Sequence, residues 1–351
     1  MSIQFNHLKQ TLNQQHRQNI IGITEIIRRT IYLLGLSAIF INPVAASEVR
    51  ITQISSTTTA ETNIAQTSAN DFILRGVEKL ATGDFSGAID DFNQAIKIDP
   101  NSASAYSIRG HTYTLQGEFK KALTDLNRAI EIDPNFDPAY NNRGFAHLQM
   151  GDLEGAIADF NKAIDINPNL ALVFNNRALA HLQQGNIQQA IADFNQAIEI
   201  NPDQAEYYYK RGRAYLNNGD IQKAIADFNQ AIELEPNLAV AYNGRGFAHL
   251  QQGNIQPAIA NLNQAIEINP NLSMAYNNRG LVYLRQGKIQ QAIDDFNQAI
   301  EINSNEINSN EINSNLFLVY NNRASVRLKQ GKIQEALADL NRAIAINPNY
   351  A

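Results

Sequence analysis

Six prolines, Pro100, Pro134, Pro168, Pro202, Pro236 and Pro270, fall 34 residues apart, and no other feature of this chain restricts its fold as much. After a ten-residue insertion the series continues at Ser314 and Pro348. Numbered from position 1 to position 34, eight units begin at Ala69, Ala103, Asp137, Ala171, Ala205, Ala239, Ser273 and Phe317. A period of this length makes each unit one supersecondary element that cannot bury its apolar face alone, so the units must stack. A fold around one central core is thereby excluded.

Inside the unit the spacing is helical. Position 20 is Ala in every unit, from Ala88 to Ala336, and position 27 is Ala from Ala95 to Ala343. Position 24 is Phe or Leu, position 4 Tyr or Phe, and position 8 Gly or Ala. Small residues at 8, 20 and 27 let two helices approach closely, and the rings at 4 and 24 fill the space beside them. Position 15 is Gly throughout, from Gly83 to Gly331, and stops the first helix by accepting a left-handed conformation. Asp84, Asp152, Asn186, Asp220 and Asn254 at position 16 are expected to cap the second helix. The proline at position 32 closes it.

These residues resemble the tetratricopeptide repeat, over Ala69 to Tyr350. The resemblance implies an all-α fold, an α-solenoid of stacked helix-turn-helix units forming a right-handed superhelix with a concave inner face. One departure from the family pattern is expected to matter. Asn349, Tyr350 and Ala351 follow Pro348 where the family often has a polar capping helix, and an uncapped last repeat leaves an apolar face open.

At 100° per residue, positions 3, 4, 7, 8, 10, 11 and 14 of the first helix share the packing arc. Positions 2, 6, 9 and 13 share the opposite stripe, which in this family lines the concave surface. Position 6 is Asn at Asn142, Asn176, Asn278 and Asn322. The series resembles the asparagine ladder of peptide-binding arrays such as the O-linked N-acetylglucosamine transferases. A carboxamide both donates and accepts, so it can pair with a peptide backbone of any sequence. Apolar residues flank it: Leu172, Val240, Met274 and Leu318 at position 2, and Phe145, Leu179, Phe247 and Leu281 at position 9. Two readings stand, a peptide groove or a strip that packs side by side between adjacent units. Repeat 5 departs, with Glu206, Lys210 and Arg213 at positions 2, 6 and 9. Lys210 and Arg213 could grip a carboxylate, or Glu206 and Lys210 could form an ordinary i,i+4 pair.

Position 7 is Arg in all eight units, and position 23 is Asp in all but the sixth, which has Asn261. In an antiparallel pair joined near position 15 the two lie at similar height. Arg109–Asp125, Arg143–Asp159, Arg177–Asp193 and Arg211–Asp227 therefore read as structural ion pairs. Recurrence in every unit argues against catalysis, because an active site is singular. His147, His181 and His249 at position 11 fall one repeat apart, too dispersed for a shared metal site, and read as packing residues. No phosphate-binding loop, convergent acid pair or nucleophile–base set appears, so neither an enzyme nor a cofactor is expected. The chain has no Cys, which excludes disulfides and thiolate chemistry. Its 28 Lys+Arg against 34 Asp+Glu give a net charge of -6, which excludes a generally basic nucleic-acid surface.

The first 46 residues stand apart. Arg28-Arg29 precede an apolar run from Ile31 to Ile41, followed by Asn42-Pro43-Val44-Ala45-Ala46. Basic, apolar and small-residue regions in that order make a secretory signal, with cleavage expected after Ala46. An uncleaved N-terminal membrane anchor is the variant of this reading. Residues 47 to 68, rich in Ser and Thr, read as a flexible linker. The insertion reads Glu-Ile-Asn-Ser-Asn three times from Glu301 to Asn315. Apolar residues five apart build no single helical face. A polar excursion with a ragged extra turn on the preceding helix is expected, with Ile302 in the core and Ile307 or Ile312 accessible. The expected function is an exported, non-enzymatic scaffold binding a peptide or protein partner. An envelope or polysaccharide assembly scaffold using its edges or convex face, and a cytosolic adaptor, are the alternatives.

Overall fold

The computed structural model describes residues 68–305 and 313–348. The expected signal segment, the linker up to residue 67, and Ile307 and Ile312 lie outside the described residues. Those residues form sixteen α-helices and no strand. They fall into two compact units, divided after Gly185.

In the first unit, α1 (Ala69–Ala81) pairs with α2 (Phe85–Ile98), α3 (Ala103–Leu115) with α4 (Phe119–Ile132), and α5 (Asp137–Met150) with α6 (Leu153–Ile166). Helix α7 (Ala171–Gln183) packs on α6. In the second unit, α8 (Ile187–Ile200) packs on α9 (Ala205–Asn218). Four hairpins follow: α9 with α10 (Ile221–Leu234), α11 (Ala239–Gln251) with α12 (Ile255–Ile268), α13 (Ser273–Arg285) with α14 (Ile289–Asn305), and α15 (Asn313–Lys329) with α16 (Ile333–Ile346). Each unit is thus a solenoid of stacked helix pairs.

The alanines at positions 20 and 27 have no exposed surface in repeats 1–7, and neither do Phe92, Leu126, Phe160, Phe194, Phe228, Leu262 and Phe296 at position 24. Each of these large side chains contributes about 1.5–3 kcal/mol by leaving water. Gly144 shows why position 8 stays small, since a Cβ there would stand 2.8 Å from the Phe160 ring. All eight glycines at position 15 have φ between 74° and 84°, a backbone conformation in which other residues are strained.

The helix caps correct one expectation. Asp84 and Asp152 accept the backbone N–H of Gly87 and Gly155 at 2.9 and 3.0 Å. Asn186, Asp220 and Asn254 make no such bond. A Cβ at Gly87 or Gly155 would fall 2.2–2.3 Å from the capping carboxylate. The cap therefore forms where position 19 is Gly, and not where it is Gln189, Lys223 or Pro257.

Helix α14 runs three residues beyond the usual end at position 30, and Ile302 is buried. The insertion does not disturb the stacking of repeat 8 on repeat 7. Arg323 reaches back to Asn297 at 2.7 Å, and Asn322 to Asn277 at 2.9 Å.

Candidate functional site

Every first helix carries a latch at position 7. The guanidinium of Arg109 donates from Nε and Nη2 to the two oxygens of Asp125, both at 2.7 Å. The same fork joins Arg143 to Asp159 at 2.8 and 2.6 Å and Arg211 to Asp227 at 2.8 and 2.7 Å. It recurs at Arg279–Asp295 and Arg323–Asp339. These are the expected structural pairs. In repeat 6, Arg245 instead donates to Asn261 at 2.6 Å.

The free end of each fork turns backward. Nη1 of Arg109, Arg143 and Arg177 donates to Asn93, Asn127 and Asn161 of the preceding repeat at 2.6–2.7 Å. Arg211, Arg245, Arg279 and Arg323 do the same to Asn195, Asn229, Asn263 and Asn297 at 2.6–2.8 Å. The aromatic ring at position 4 lies under each guanidinium, as Tyr106 does for Arg109 at 5.5 Å and Tyr276 for Arg279 at 5.4 Å. One arginine therefore binds two helices of its own repeat, by ion pair and by cation–π contact, and one helix of the repeat before it. The bond to the aspartate raises the pKa of Arg143 and Arg279. Burial pushes the Asp227 carboxyl up against the opposing pull of Arg211. Position 25 escaped the sequence reading although it is Asn in every repeat, from Asn93 to Asn341.

A second ladder runs through positions 5 and 6. Asn142 Nδ2 donates to Ser107 Oγ at 3.0 Å, and Asn176 Nδ2 to Asn141 Oδ1 at 3.1 Å. In the second unit Asn278 donates to Asn243 and Asn322 to Asn277, both at 2.9 Å. Within a repeat the position-5 amide donates back to the position-6 oxygen, as Asn175 does to Asn176 at 3.1 Å. Amides so engaged avoid the cost of unsatisfied burial, about 1–3 kcal/mol per group.

The repeat pattern is shared with known families. Tetratricopeptide repeat models match residues 138–170, 175–239, 273–306 and 317–350, and a TPR repeat model matches residues 76–117, 110–151 and 249–287. The chain is a tetratricopeptide repeat protein.

Solved structures agree on the fold. The crystal structure of the APC/C hetero-tetramer Cut9-Hcn1 is similar over 82% of this chain and 55% of that one, at TM-score 0.60 and 19% identity. The present chain thus spans about half the length of that relative. A tetratricopeptide repeat protein from Parabacteroides merdae matches over 73% of this chain and 100% of its own, at TM-score 0.55 and 22% identity. PilW, a type IV pilus biogenesis factor, matches over 59% and 96%, at TM-score 0.54 and 21% identity. No curated protein is significantly similar to this sequence. The fold is that of a protein-interaction scaffold.

The asparagine ladder of this tetratricopeptide protein differs from the exposed one expected. Asn142, Asn176 and Asn278 are buried, at 4%, 8% and 4% exposure, with Asn322 partly exposed. Their amides are spent on the neighbouring repeat because position 5 supplies a matching acceptor, a pairing the sequence reading did not consider. The apolar strip packs side by side and stays half exposed. Phe145 tilts over His111 with ring centroids 5.6 Å apart. Leu179, Phe247 and Leu281 lean partly buried on the inter-repeat clusters. In repeat 5, Lys210 meets Glu206 at 2.7 Å, the ordinary i,i+4 pair. Arg213 is exposed, with its guanidinium 5.9 Å from the Tyr209 ring. Asp193 is buried on α8. Among the described residues, no group of three His, Asp or Glu is placed to hold a metal ion. No described helix is long and apolar enough to cross a membrane.

Proposed function

We propose that this protein is an exported, non-enzymatic scaffold that holds a peptide or protein partner along the open face of its first helices. The observation that carries this reading is the half-exposed apolar strip. In the second unit Val240, Phe247, Met274, Leu281 and Leu318 recur on consecutive first helices, all partly exposed, with Phe247 and Leu281 packed against the inter-repeat core. Contiguous apolar surface rimmed by polar groups marks interaction sites, and position 13 supplies such a rim in Gln251 and Arg285. The buried asparagines act from beneath, by fixing the spacing at which the strip is presented. Asn322, partly exposed, is the one of the four that a partner reaches directly. Lys210 is offset by Glu206, and exposed Arg213 leaves one positive charge at one end of the strip in this unit. Residues 1–46, with their basic, apolar and small-residue regions, support export.

Peptide selection from a random library on the immobilised protein tests the strip. Phe247→Glu with Leu281→Glu should lower recovery at least tenfold while the circular dichroism spectrum is unchanged. Equal recovery would move the interface to the edges or the convex side, as in an envelope-assembly scaffold. The N-terminus of the mature protein should be Ser47. A cytosolic protein beginning at Met1 would replace export with the adaptor reading.

A further inference from the structure

Positions 13 and 16 flank the turn that joins the two helices of a repeat, and their charge changes along the chain. In repeats 1–6 position 13 is uncharged, from Ala81 to Gln251, and position 16 is Asp, Glu or Asn, from Asp84 to Asn254. In repeats 7 and 8 both positions are basic, with Arg285 and Lys288 in one and Lys329 and Lys332 in the other. All four are exposed. These turns lie at the side of the stack and stay open when a further repeat is added. Asn254 and Lys288 are exposed although repeats 7 and 8 follow them.

Among the described residues none of the four cations pairs with a carboxylate. Asp295 is taken by Arg279, Glu335 by Arg327, and Asp339 by Arg323 and Arg327. Arg285 donates instead to the carbonyl of Leu250, at the end of α11 in the preceding repeat, and Lys288 lies 5.7 Å from the Tyr283 ring. Asn305 and Asn313, which border the insertion, stand at the far ends of helices that begin or finish at these turns with Ile289 and Lys329. At 1.5 Å per residue the separation is about 24 Å, so the insertion departs from the opposite edge. In a chain of net charge -6, four cations on adjacent turns without an internal counter-charge set up a local positive field that draws an anion.

The cations also adjoin the apolar strip. Leu281 is one helical turn before Arg285, and Ser325 one turn before Lys329, a spacing at which side chains are neighbours. We propose that the partner of the strip is an acidic peptide. Its apolar side chains lie on Phe247, Met274 and Leu281, and its carboxylates meet Arg285, Lys288, Lys329 and Lys332. This rests on the reading of the strip as a peptide site and adds the charge of the occupant. The basic patch is only two turns wide, because Asp220 and Asn254 hold position 16 in repeats 5 and 6. That width suits one peptide segment better than an anionic lipid surface, whose attraction grows with every added Lys or Arg.

The library selection is run on the parent and on the triple variant Lys288→Gln, Lys329→Gln, Lys332→Gln. The three lysines are exposed and outside any ion pair, so the variant should keep the parent circular dichroism spectrum. Peptides recovered on the parent should be enriched in Asp and Glu beside apolar residues, and those recovered on the variant in apolar residues alone. The most acidic recovered peptide, labelled with fluorescein, is then compared with its Gln and Asn counterpart. The acidic form should bind the parent about tenfold more tightly at about 10 mM salt, and the difference should vanish in the variant and at about 1 M salt, where charges are screened within roughly 3 Å. Apolar enrichment without acidic enrichment, or an acidic preference that the variant keeps, overturns the proposal and leaves the strip standing. Recovery no better than on a blank surface removes the strip and the proposal together. Phosphatidylglycerol vesicles that bind the parent but not the variant, with no acidic bias among the peptides, would assign the patch to a membrane and overturn the proposal as well.

Discussion

The first helix of the first unit and the last helix of the second each lie at an edge of their own stack and are built in opposite ways. In repeats 2–8 the residues at positions 3 and 10 of the first helix are mostly Ala or Val, with Thr112 and Tyr207 as variants, and all are buried against the preceding repeat. In α1 the same positions are Asp71 and Glu78, both exposed. Asp71 also closes a capping box with Ser68, receiving its N–H at 2.8 Å. At the other edge α16 keeps the aliphatic pattern of an interior helix and leaves it uncovered. One edge of the described array is thus charged at the positions that pack elsewhere, and the other is aliphatic.

That contrast can be broken first at the latches. In the interior, Arg279→Leu leaves Asp295 buried and unpaired, and should cost about 3–5 kcal/mol. Arg75→Leu in the first repeat should cost less than half as much, because Arg75 is 52% exposed and Lys79 Nζ still lies 2.9 Å from Asp91. Native-state hydrogen exchange of each repeat measures both, and is preferable to one melting curve because repeat arrays need not unfold as a unit. Equal losses would mean that the edge repeat is as constrained as the interior.

The second break converts one edge into the complement of the other. The triple variant Asp71→Ala, Leu74→Asn, Glu78→Val writes the stacking pattern into α1. Head-to-tail contacts join unlike surfaces, so association into rings or open chains should rise with concentration. Sedimentation velocity should show higher-order species that a further Leu337→Glu removes. A triple variant that sediments like the parent would show that charge at positions 3 and 10 is not what ends the stack.

Acid separates the repeats more gently. The Arg75 bond holds the Asp91 carboxyl below its ordinary value. Its contribution is therefore present above the unfolded pKa, about 3.9, and is lost as pH falls through the folded value. Burial raises Asp227, so its folded form takes up a proton before the unfolded form does, and acid works in the opposite sense there. Exchange in repeat 1 should accelerate relative to repeat 5 as pH drops from 5 to about 3. The reverse order would contradict these assignments. The smallest effect is expected from deleting Glu306 to Asn315. The latch and the amide bond between repeats 7 and 8 already form with the insertion present. Stability should change by no more than about 0.6 kcal/mol, the scale of doubling a loop, and a marked loss on urea titration would assign the insertion a structural part.

The repeat, its helix pair and the Arg–Asp fork were legible in the sequence because each is a contact within one unit, where helical periodicity fixes the height of both partners. Contacts between units were less legible. The eight asparagines at position 25 are as regular as the arginines at position 7, and that regularity was the available signal. The distance from Arg to the preceding Asn is fixed by stacking, which periodicity within one unit does not give. The pattern within one unit places the position-6 asparagines outward for the same reason, since their acceptors at Asn141, Asn243 and Asn277 sit on the first helix of the neighbouring repeat. Asp71 and Glu78 stood out only against a column of small residues, a comparison made visible once that column was seen to be buried.

The arginine latch reaches 16 residues forward to its aspartate and 16 residues back to its asparagine. Both arms fit within one 34-residue period. A block of 34 residues cut from the interior at any phase, or copied into it, rejoins with every latch still meeting an acceptor. Length within the helices of such a protein is quantised, and the ten residues added before repeat 8 are tolerated because they fall between two helices. The chain can be lengthened or shortened by whole periods with its joints unaltered, while a shift by any other number within a helix puts the arginine and asparagine that span it out of step.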